Sequence, residues 1–464
     1  MTSTWLKVYY SLPSSLRSIA ASMRGLYIRS WRYGPETERL VQEAINREGW
    51  SPDQWRVWQE ERLAFVLHRA ATKVPYYREQ WAERRRRGDR ASWEYLENWP
   101  ILEKDTIREN ARAFVADDCD VRKMYHEQTS GSTGKPLSLW ASLQTIRTMA
   151  AWYEARLRCW NGVSRHNRWA TIAGQLVTPV TQREPPFWVW NQGLNQLYMS
   201  SYHLASDLME SYLDALLRYR VTYLYAYPSS LYALAQTALE LGRKDLHMAV
   251  ALTSAEPLYE YQREAIAKAF NCPVRETYGM AELVAMASEC TSARLHLWPE
   301  VGCVEVMKDG LPVLPGSPGD LVCTGLLNVD MPLIRYRVGD QGCLEISSDT
   351  CQCGRTLPVM ASVDGRIGDI LYTKDGRRVG RLSPVFKGDL AIREAQIIQE
   401  TLDCVKVKVV PTPDFASHHE SVIVERLKER MGDVEVVIES VAEIPRGASG
   451  KFRAVVCKIP GAVS

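Results

Sequence analysis

Two groups of side chains in this chain have the types and spacing to do chemistry. The first is "TSGSTGKP", Thr129 to Pro136, which offers glycines, hydroxyls and one lysine and has no apolar residue to bury. Such a loop can wrap a phosphate. Glycines let the backbone approach closely, successive N–H groups point inward, the Ser and Thr hydroxyls donate, and Lys135 supplies charge. It is not a Walker loop, which needs four residues between its glycines and a Ser or Thr after the lysine. Here only Ser132 and Thr133 separate Gly131 from Gly134, and Pro136 follows Lys135. Nor does it fit the dinucleotide fingerprint, and on its own the same composition also makes an ordinary turn.

The second group is a set of metal-ligand types: Cys290 and His296 in "ECTSARLH", then Cys351 and Cys353 in "CQCG". Three thiolates and one imidazole make a closed, tetrahedral zinc site of structural type. Cys303 and Cys343 lie near enough in sequence to substitute, and the C-x-C spacing also suits reduced thiols in turns. Eleven cysteines in a long chain with no export-type leader favour reduced thiols and a cytoplasmic setting over a disulfide framework.

Further motifs follow the glycine loop in order: "TSAEP" (Thr253 to Pro257), "ETYGMAE" (Glu276 to Glu282), "YRVGD" (Tyr336 to Asp340), "GRIGD" (Gly365 to Asp369) and "PRGASGK" (Pro445 to Lys451). This ordered set resembles the core motifs of the adenylate-forming superfamily, which includes acyl- and aryl-CoA ligases. Within it, "WQEERLAFVLHRAATKVPYYRE", "YPSSLYALA", "CQCGRTLP" and "AQIIQE" resemble the phenylacetate-CoA ligase-like branch, and most of all its CapK-type members, often associated with polysaccharide biosynthesis.

The resemblance implies ATP, Mg²⁺ and a carboxylate substrate, with attack on the α-phosphorus, loss of pyrophosphate and capture of the acyl-adenylate, usually by the thiol of coenzyme A. It implies that Thr129, Ser130, Gly131, Ser132, Thr133, Gly134 and Lys135 hold the β- and γ-phosphates. Ser254, Ala255 and Glu256 would line the adenine site with Glu276 and Thr277 nearby, and Tyr278 would stack on the base or close the acyl pocket. Glu282 would coordinate Mg²⁺, Asp340 would accept both ribose hydroxyls, and Arg366 would reach the ribose or phosphate. Lys451 would bridge the carboxylate and the α-phosphate, stabilising charge as the two anions meet.

The elements that must position these residues change along the chain. Residues 35 to about 115 read as helices, with Trp58, Leu63, Val66 and Leu67 at near-helical spacing until Pro75. From about 125, β-branched and aromatic runs such as "VTYLYAYP" alternate with helical segments, which predicts an α/β body whose sheets are covered by helices. Short strands with Gly, Pro and Asp turns over 300–364 predict a β-rich subdomain. Residues 1–364 therefore form a large N-terminal domain with a helical lead-in over 1–115, and 365–464 a small mobile α+β lid that carries Lys451, hinged at the glycines of "DGRIGD".

A formal charge of +2 gives no global argument for nucleic acid, and no run approaches the roughly 20 apolar residues of a bilayer span. The aromatic and basic N-terminus could lie on a membrane surface or pack as a helix with a solvated basic face. "RRRR" (Arg84 to Arg87) reads as a solvated helix face, and a homodimer is compatible with the composition. "TIAGQ" (Thr171 to Gln175), "SYHLA" (Ser201 to Ala205) and "AYPSS" (Ala226 to Ser230) should shape the acyl pocket, with His203 either orienting a carboxylate or packing. The region after the hinge lacks the glycine- and asparagine-containing segment usual in phenylacetate-activating enzymes, and Gly368 stands where Asp or Lys is common. Two alternatives to coenzyme A ligation therefore stand: transfer of the acyl group to an amine or hydroxyl in polysaccharide or metabolite biosynthesis, and a non-catalytic nucleotide-binding scaffold.

Overall fold

The computed structural model describes residues 3–128, 137–179, 181–205, 207–256, 258, 260–346, 350–364, 371–379, 382–386, 390–442, 444 and 455–459. The α/β body expected from the alternating pattern is present, preceded along the chain by helices and followed by a smaller α+β unit.

The lead-in is helical for local reasons. Helix Pro52–Lys73 opens with proline in its first turn and a reciprocal cap, the Gln54 N–H donating to Ser51 Oγ and the Ser51 N–H to Gln54 Oε1. It ends at Val74, where the next proline forbids continuation, and helix Pro75–Arg86 begins. Trp55, Val66, Leu67 and Ala70 are its buried stripe. The arginine run at the end of the second helix is spent locally: Arg84 on Asp89 and the Asn98 carbonyl, Arg85 on the carbonyls of Asp89 and Ala91, Arg86 and Arg87 on Glu83. It is a helix face with its own acceptors, as its composition predicts.

One continuous run of thirteen strands organises the body. Toward one end five strands run parallel in the order Gln196–Ser200, Trp169–Ala173, Tyr223–Ala226, Ala251–Thr253, Val274–Gly279. Their register aligns Ala173 with Ser200, Ile172 with Ala226, Ala226 with Thr253, and Thr253 with Glu276, so all five C-terminal ends meet at one edge. Leu224, Ala251, Ile172 and Leu197 are fully buried under helices Met209–Arg218, Pro228–Glu240 and Glu260–Phe270.

Strand Val274–Gly279 is the seam. Its far side pairs antiparallel with Met286–Glu289, which leads into an antiparallel meander of Leu295–Leu297, Val359–Asp364, Tyr336–Leu344, Gly319–Gly325 and Gly302–Lys308. Helices Pro52–Lys73 and Pro75–Arg86 cover this part, with Trp99, Phe114, Leu333 and Tyr336 in the shared core. Arg156 and Glu300 form a fully buried bidentate pair (2.6 and 2.7 Å) that ties the helical layer to the meander.

The C-terminal unit is a four-stranded sheet, Glu435–Ser440, Cys404–Pro411, Ile392–Gln399 and Val455–Cys457, backed by helix Ser417–Met431. Buried Arg377 joins it to the body: one terminal nitrogen donates to the Tyr202 carbonyl and to the Arg430 carbonyl (3.0 Å), the other to the Met431 carbonyl (3.1 Å). Among the described residues no helix is long and apolar enough to cross a membrane.

Candidate active site

Loops leaving the C-terminal ends of parallel strands are where α/β folds bind ligands. Here that edge carries "SYHLA", "AGQ", "YPSS", "SAE" and "TYGMAE" in spatial order, so the segments expected to form the acyl and adenine pockets are brought together. The loops are also tied to one another. The Gly174 N–H donates to Tyr227 Oη (3.3 Å), the Ser229 N–H to Glu256 Oε2 (3.1 Å), and the Ser254 N–H to the Ala226 carbonyl (3.2 Å). Ala255 holds a left-handed φ of 69°, uncommon for a residue with a Cβ and a mark of constraint at a site. Thr277 is buried, its hydroxyl donating to the Thr253 carbonyl (2.7 Å), so it fastens adjacent strands. The Glu276 N–H donates to Glu289 Oε2 (2.7 Å); burial first, then the Glu289 charge, raises the Glu276 carboxyl above its usual range.

Across the seam, Tyr278, Glu282 and Asp340 converge. Tyr278 Oη donates to Asp340 Oδ2 (3.1 Å) across 62 positions of sequence. A bulge makes this reach possible: strand Tyr336–Leu344 slips register opposite Asp320 and Val322, and Gly339 adopts φ 87° beside Asp340. Burial, then the Asp340 charge, pushes the Tyr278 phenol far above its ordinary range, so it remains a protonated donor. Glu282 is buried and accepts on Oε1 from Lys104 Nζ (3.0 Å) and Tyr336 Oη (2.9 Å). Burial alone would raise its carboxyl; Lys104 and the hydrogen bonds overcome that and hold it below the usual range. Glu282 is thus anionic at neutral pH.

Lys104, Tyr336 and Glu289 are partners of the candidate residues that sequence reasoning missed. Tyr336 opens the "YRVGD" motif, which was signal enough; Lys104 sits alone at the start of helix Lys104–Glu109 with nothing to single it out. The bridge between Leu102 and Tyr336 delivers it. The glycine loop Thr129–Pro136, Pro257, Arg366, Gly368 and Lys451 lie outside the described residues.

His203 packs. Its Nε2 faces the Pro179 carbonyl (3.0 Å) and must carry the proton, so Nδ1 accepts from Ser200 Oγ (2.8 Å), and the ring stacks on Phe187. Desolvation lowers its pKa from 6.5 to about 4. Because the folded value is the lower one, the neutral ring's stabilisation is complete above about pH 6.5 and is lost as pH falls toward 4. Between pH 7.5 and 5 this residue should cost about 2 kcal/mol of stability. His203→Gln should flatten that part of the pH dependence in urea unfolding; an unchanged slope would remove His203 as its source.

About 60 positions apart in sequence, the cysteine and histidine pairs also meet. The ligand atoms of Cys290, His296, Cys351 and Cys353 all lie within 4.8 Å of one another. Cys290 Sγ and Cys351 Sγ are 3.9 Å apart, and Cys353 Sγ is 3.5 Å from His296 Nε2. His296 Nδ1 must donate to the Leu357 carbonyl (3.0 Å), which leaves Nε2 as the lone-pair nitrogen facing the sulfurs. The hairpin of Met286–Glu289 and Leu295–Leu297 presents the first pair, and Trp55, Trp160 and Leu357 pack around the cluster. Cys303 and Cys343 are not part of it.

The AMP-binding enzyme family matches residues 58–327, more than half of the chain, and the CapK C-terminal domain matches 371–458. The chain belongs to the AMP-binding enzyme family. Among members of known kind, Protein CapK of Staphylococcus aureus is 24% identical over 455 residues, covering 96% of this chain and 98% of that protein. Phenylacetate-coenzyme A ligase of Thermus thermophilus is 26% identical over 469 residues, covering 91% and 98%. These likenesses agree with the adenylate-forming superfamily and the phenylacetate-CoA ligase-like branch near CapK that the motifs indicate. In fold, the chain is similar to 2-hydroxyisobutyryl-CoA ligase in complex with 2-HIB-AMP and CoA in the thioesterification state, at TM-score 0.57, 19% identity and 89% and 91% coverage. The same ligase in its postadenylation state aligns at TM-score 0.53 and the same identity.

Proposed function

We propose that this AMP-binding enzyme activates a carboxylic acid as its adenylate and passes the acyl group to coenzyme A. The observation that carries the reading is the convergence of Tyr278, Glu282 and Asp340 at the seam beside five parallel strand ends. In the first step the substrate carboxylate forms an O–P bond at the α-phosphorus and the bond to pyrophosphate breaks. In the second a thiol forms a C–S bond to the carbonyl carbon, AMP leaves and the thiol proton passes to solvent.

The chain's own groups suit this division. Asp340, fixed by Tyr278, offers a carboxylate to the ribose diol, and the edge loops provide a wall for base and acyl group. Glu282 would hold Mg²⁺ as a single hard oxygen donor, and Lys104 would then share or release that carboxylate. When bound, the ion would neutralise phosphate charge. Glu282's part is to stay ionised in a buried place and to face the phosphates; Lys451, from the C-terminal unit, would meet the reacting anions. A mobile lid over 365–464, hinged at "DGRIGD", belongs to this proposal, as do the phosphate role of Thr129–Lys135 and the nucleotide contact of Arg366.

The thiol–imidazole cluster is assigned to structural zinc. Zn–S and Zn–N bonds of about 2.3 and 2.05 Å in a tetrahedron imply edges of about 3.8 Å between sulfurs and about 3.6 Å from sulfur to nitrogen. The observed 3.9 and 3.5 Å match. His296's second nitrogen is already anchored on a carbonyl, the usual support of a metal-bound imidazole. Eleven cysteines, none of them in a disulfide, suit a reducing compartment, hence the cytoplasm.

Carboxylate-dependent exchange of labelled pyrophosphate into ATP, run over a panel of aryl, hydroxy and amino acids, tests the first step; it also separates a catalyst from a scaffold. Adding coenzyme A and detecting the thioester tests the second, with amine and hydroxyl acceptors as the competing outcome. Asp340→Ala should weaken ATP binding by about 1–3 kcal/mol, the scale of charged hydrogen bonds. An unchanged calorimetric dissociation constant would remove the ribose role.

A further inference from the structure

Helix Ser14–Arg32 begins without a cap. Pro13 at its N-cap position has no side-chain acceptor, its first turn holds no Asp or Glu, and the first acidic residue of the chain is Glu36. The peptide N–H groups of an open helix start carry a partial positive charge that attracts anions. A full charge stands over the same turn. Helical side chains lean toward the N-terminus, so Arg17, at the fourth position, reaches back across it.

Arg17 is 5% exposed, and its guanidinium donates from Nη2 to Gln182 Oε1 (2.9 Å). Gln182 is held in place for this, its Nε2 donating to the carbonyls of Glu184 (2.6 Å) and Pro186 (3.0 Å). Nε and Nη1 of Arg17 are buried without an acceptor, and among the described residues no carboxylate pairs with it. The Tyr9 phenol, which lies close enough to feel that charge, donates to the Val177 carbonyl (3.2 Å). Beside Val177, Thr178 is fully buried, and among the described residues its hydroxyl has no partner. Orphan donors in a native fold point to a bound ion or water, and a buried cation left unpaired is costly. Water would meet the N–H groups but not the charge. An anion meets both.

We propose that the first turn of helix Ser14–Arg32, with Arg17 and Thr178, binds a small oxyanion, a phosphate or a carboxylate group. Pro13, Ser15 and Leu16 are exposed, so the site lies just beneath the surface. The loop that carries Thr178 and Gln182 leaves strand Trp169–Ala173 through Gly174 and Gln175, part of the candidate acyl pocket. A bound anion therefore fastens the helical lead-in to the outer end of the loop whose inner end shapes that pocket.

The test is thermal unfolding of the full chain at fixed ionic strength, titrated with inorganic phosphate in one arm and succinate in the other. At least one anion should raise the transition by about 2 °C at roughly ten times its dissociation constant, and the arm that responds more strongly identifies the group. Arg17→Met should abolish the response. In buffer free of both anions it should leave the transition unchanged or higher, because it removes a buried charge that nothing pairs. An arginine that serves only the fold would instead lower the transition in both conditions. Thr178→Val, which keeps the shape of the side chain, should weaken the response about fivefold in anion concentration, the scale of one hydrogen bond. No response in either arm would overturn the proposal. So would an equal response in the unaltered chain and both variants, which places the anion elsewhere, or an Arg17→Met chain that is less stable with and without anion.

Discussion

Lys451→Ala is expected to cut carboxylate-dependent pyrophosphate exchange by about 10²–10³-fold while leaving ATP affinity nearly unchanged. The asymmetry is the informative part. Before reaction the carboxylate and the α-phosphate are separate anions, each with its own partners. Only as they join does negative charge concentrate between them, and a cation placed there lowers the barrier more than it tightens the ground state. Single-residue losses of this electrostatic kind are worth about 3–4 kcal/mol, which sets the magnitude. Lys451→Arg should recover little, because a planar fork does not replace a compact ammonium between two oxygens. Exchange that survives the alanine change, or a parallel collapse of ATP binding, would take this lysine out of the adenylation step.

The second large effect concerns metal. Protein purified without chelator is expected to carry one zinc per chain, and Cys290→Ser/Cys351→Ser should abolish it. Loss of a ligand held about a thousandfold above its dissociation constant removes about 4 kcal/mol of stabilisation. For a body of this size that lowers the unfolding transition by about 5 °C. The damage should be local first: the segment carrying Cys351 and Cys353 would lose its tether to the hairpin of Cys290 and His296, and Arg355, which lies over Trp160 and pairs with Glu48, would lose its placement. Hydrogen exchange would read this as faster exchange around Leu357. Sub-stoichiometric zinc in every preparation would leave four thiol and imidazole groups in mere proximity.

How far the sequence foretold this arrangement depended on the range of the interaction concerned. The strands "VTYLYAYP" and "GDLVCTGL" and the helix in "ESVIVERLKERM" announce themselves through periodicity, which is local. The Cys/His cluster was also legible, because each pair sits within a few residues and chemistry alone singles out Cys and His. Lys104 was invisible: its partner Glu282 is 178 positions away, and a lysine beside Glu103 and Asp105 looks like any solvated helix start. The bulge at Gly339 that aims Asp340 at Tyr278 is a property of pairing between strands. His203 had the right chemistry for a site; only its two buried partners show that it is spent on packing.

The distribution of partners around Arg377 has a thermodynamic consequence. Two of its three carbonyl acceptors, on Arg430 and Met431, belong to the same unit as the arginine, and only Tyr202 belongs to the body. A rotation of that unit would take the guanidinium along with most of its partners, giving up the Tyr202 hydrogen bond, the packing of Tyr202 and Leu176 against the unit's core, and the partly exposed pairs of Arg183 with Asp375 and Lys7 with Glu425. The hydrogen bond and the ion pairs together are worth about 1–3 kcal/mol, because an intramolecular hydrogen bond is traded for water and an exposed ion pair contributes little. Unequal affinity of two arrangements for ATP and for AMP by a factor of about 10 to 100 would offset that polar part. Any preference exerted by the nucleotide must also outweigh the apolar seat of Tyr202 before the small unit can turn.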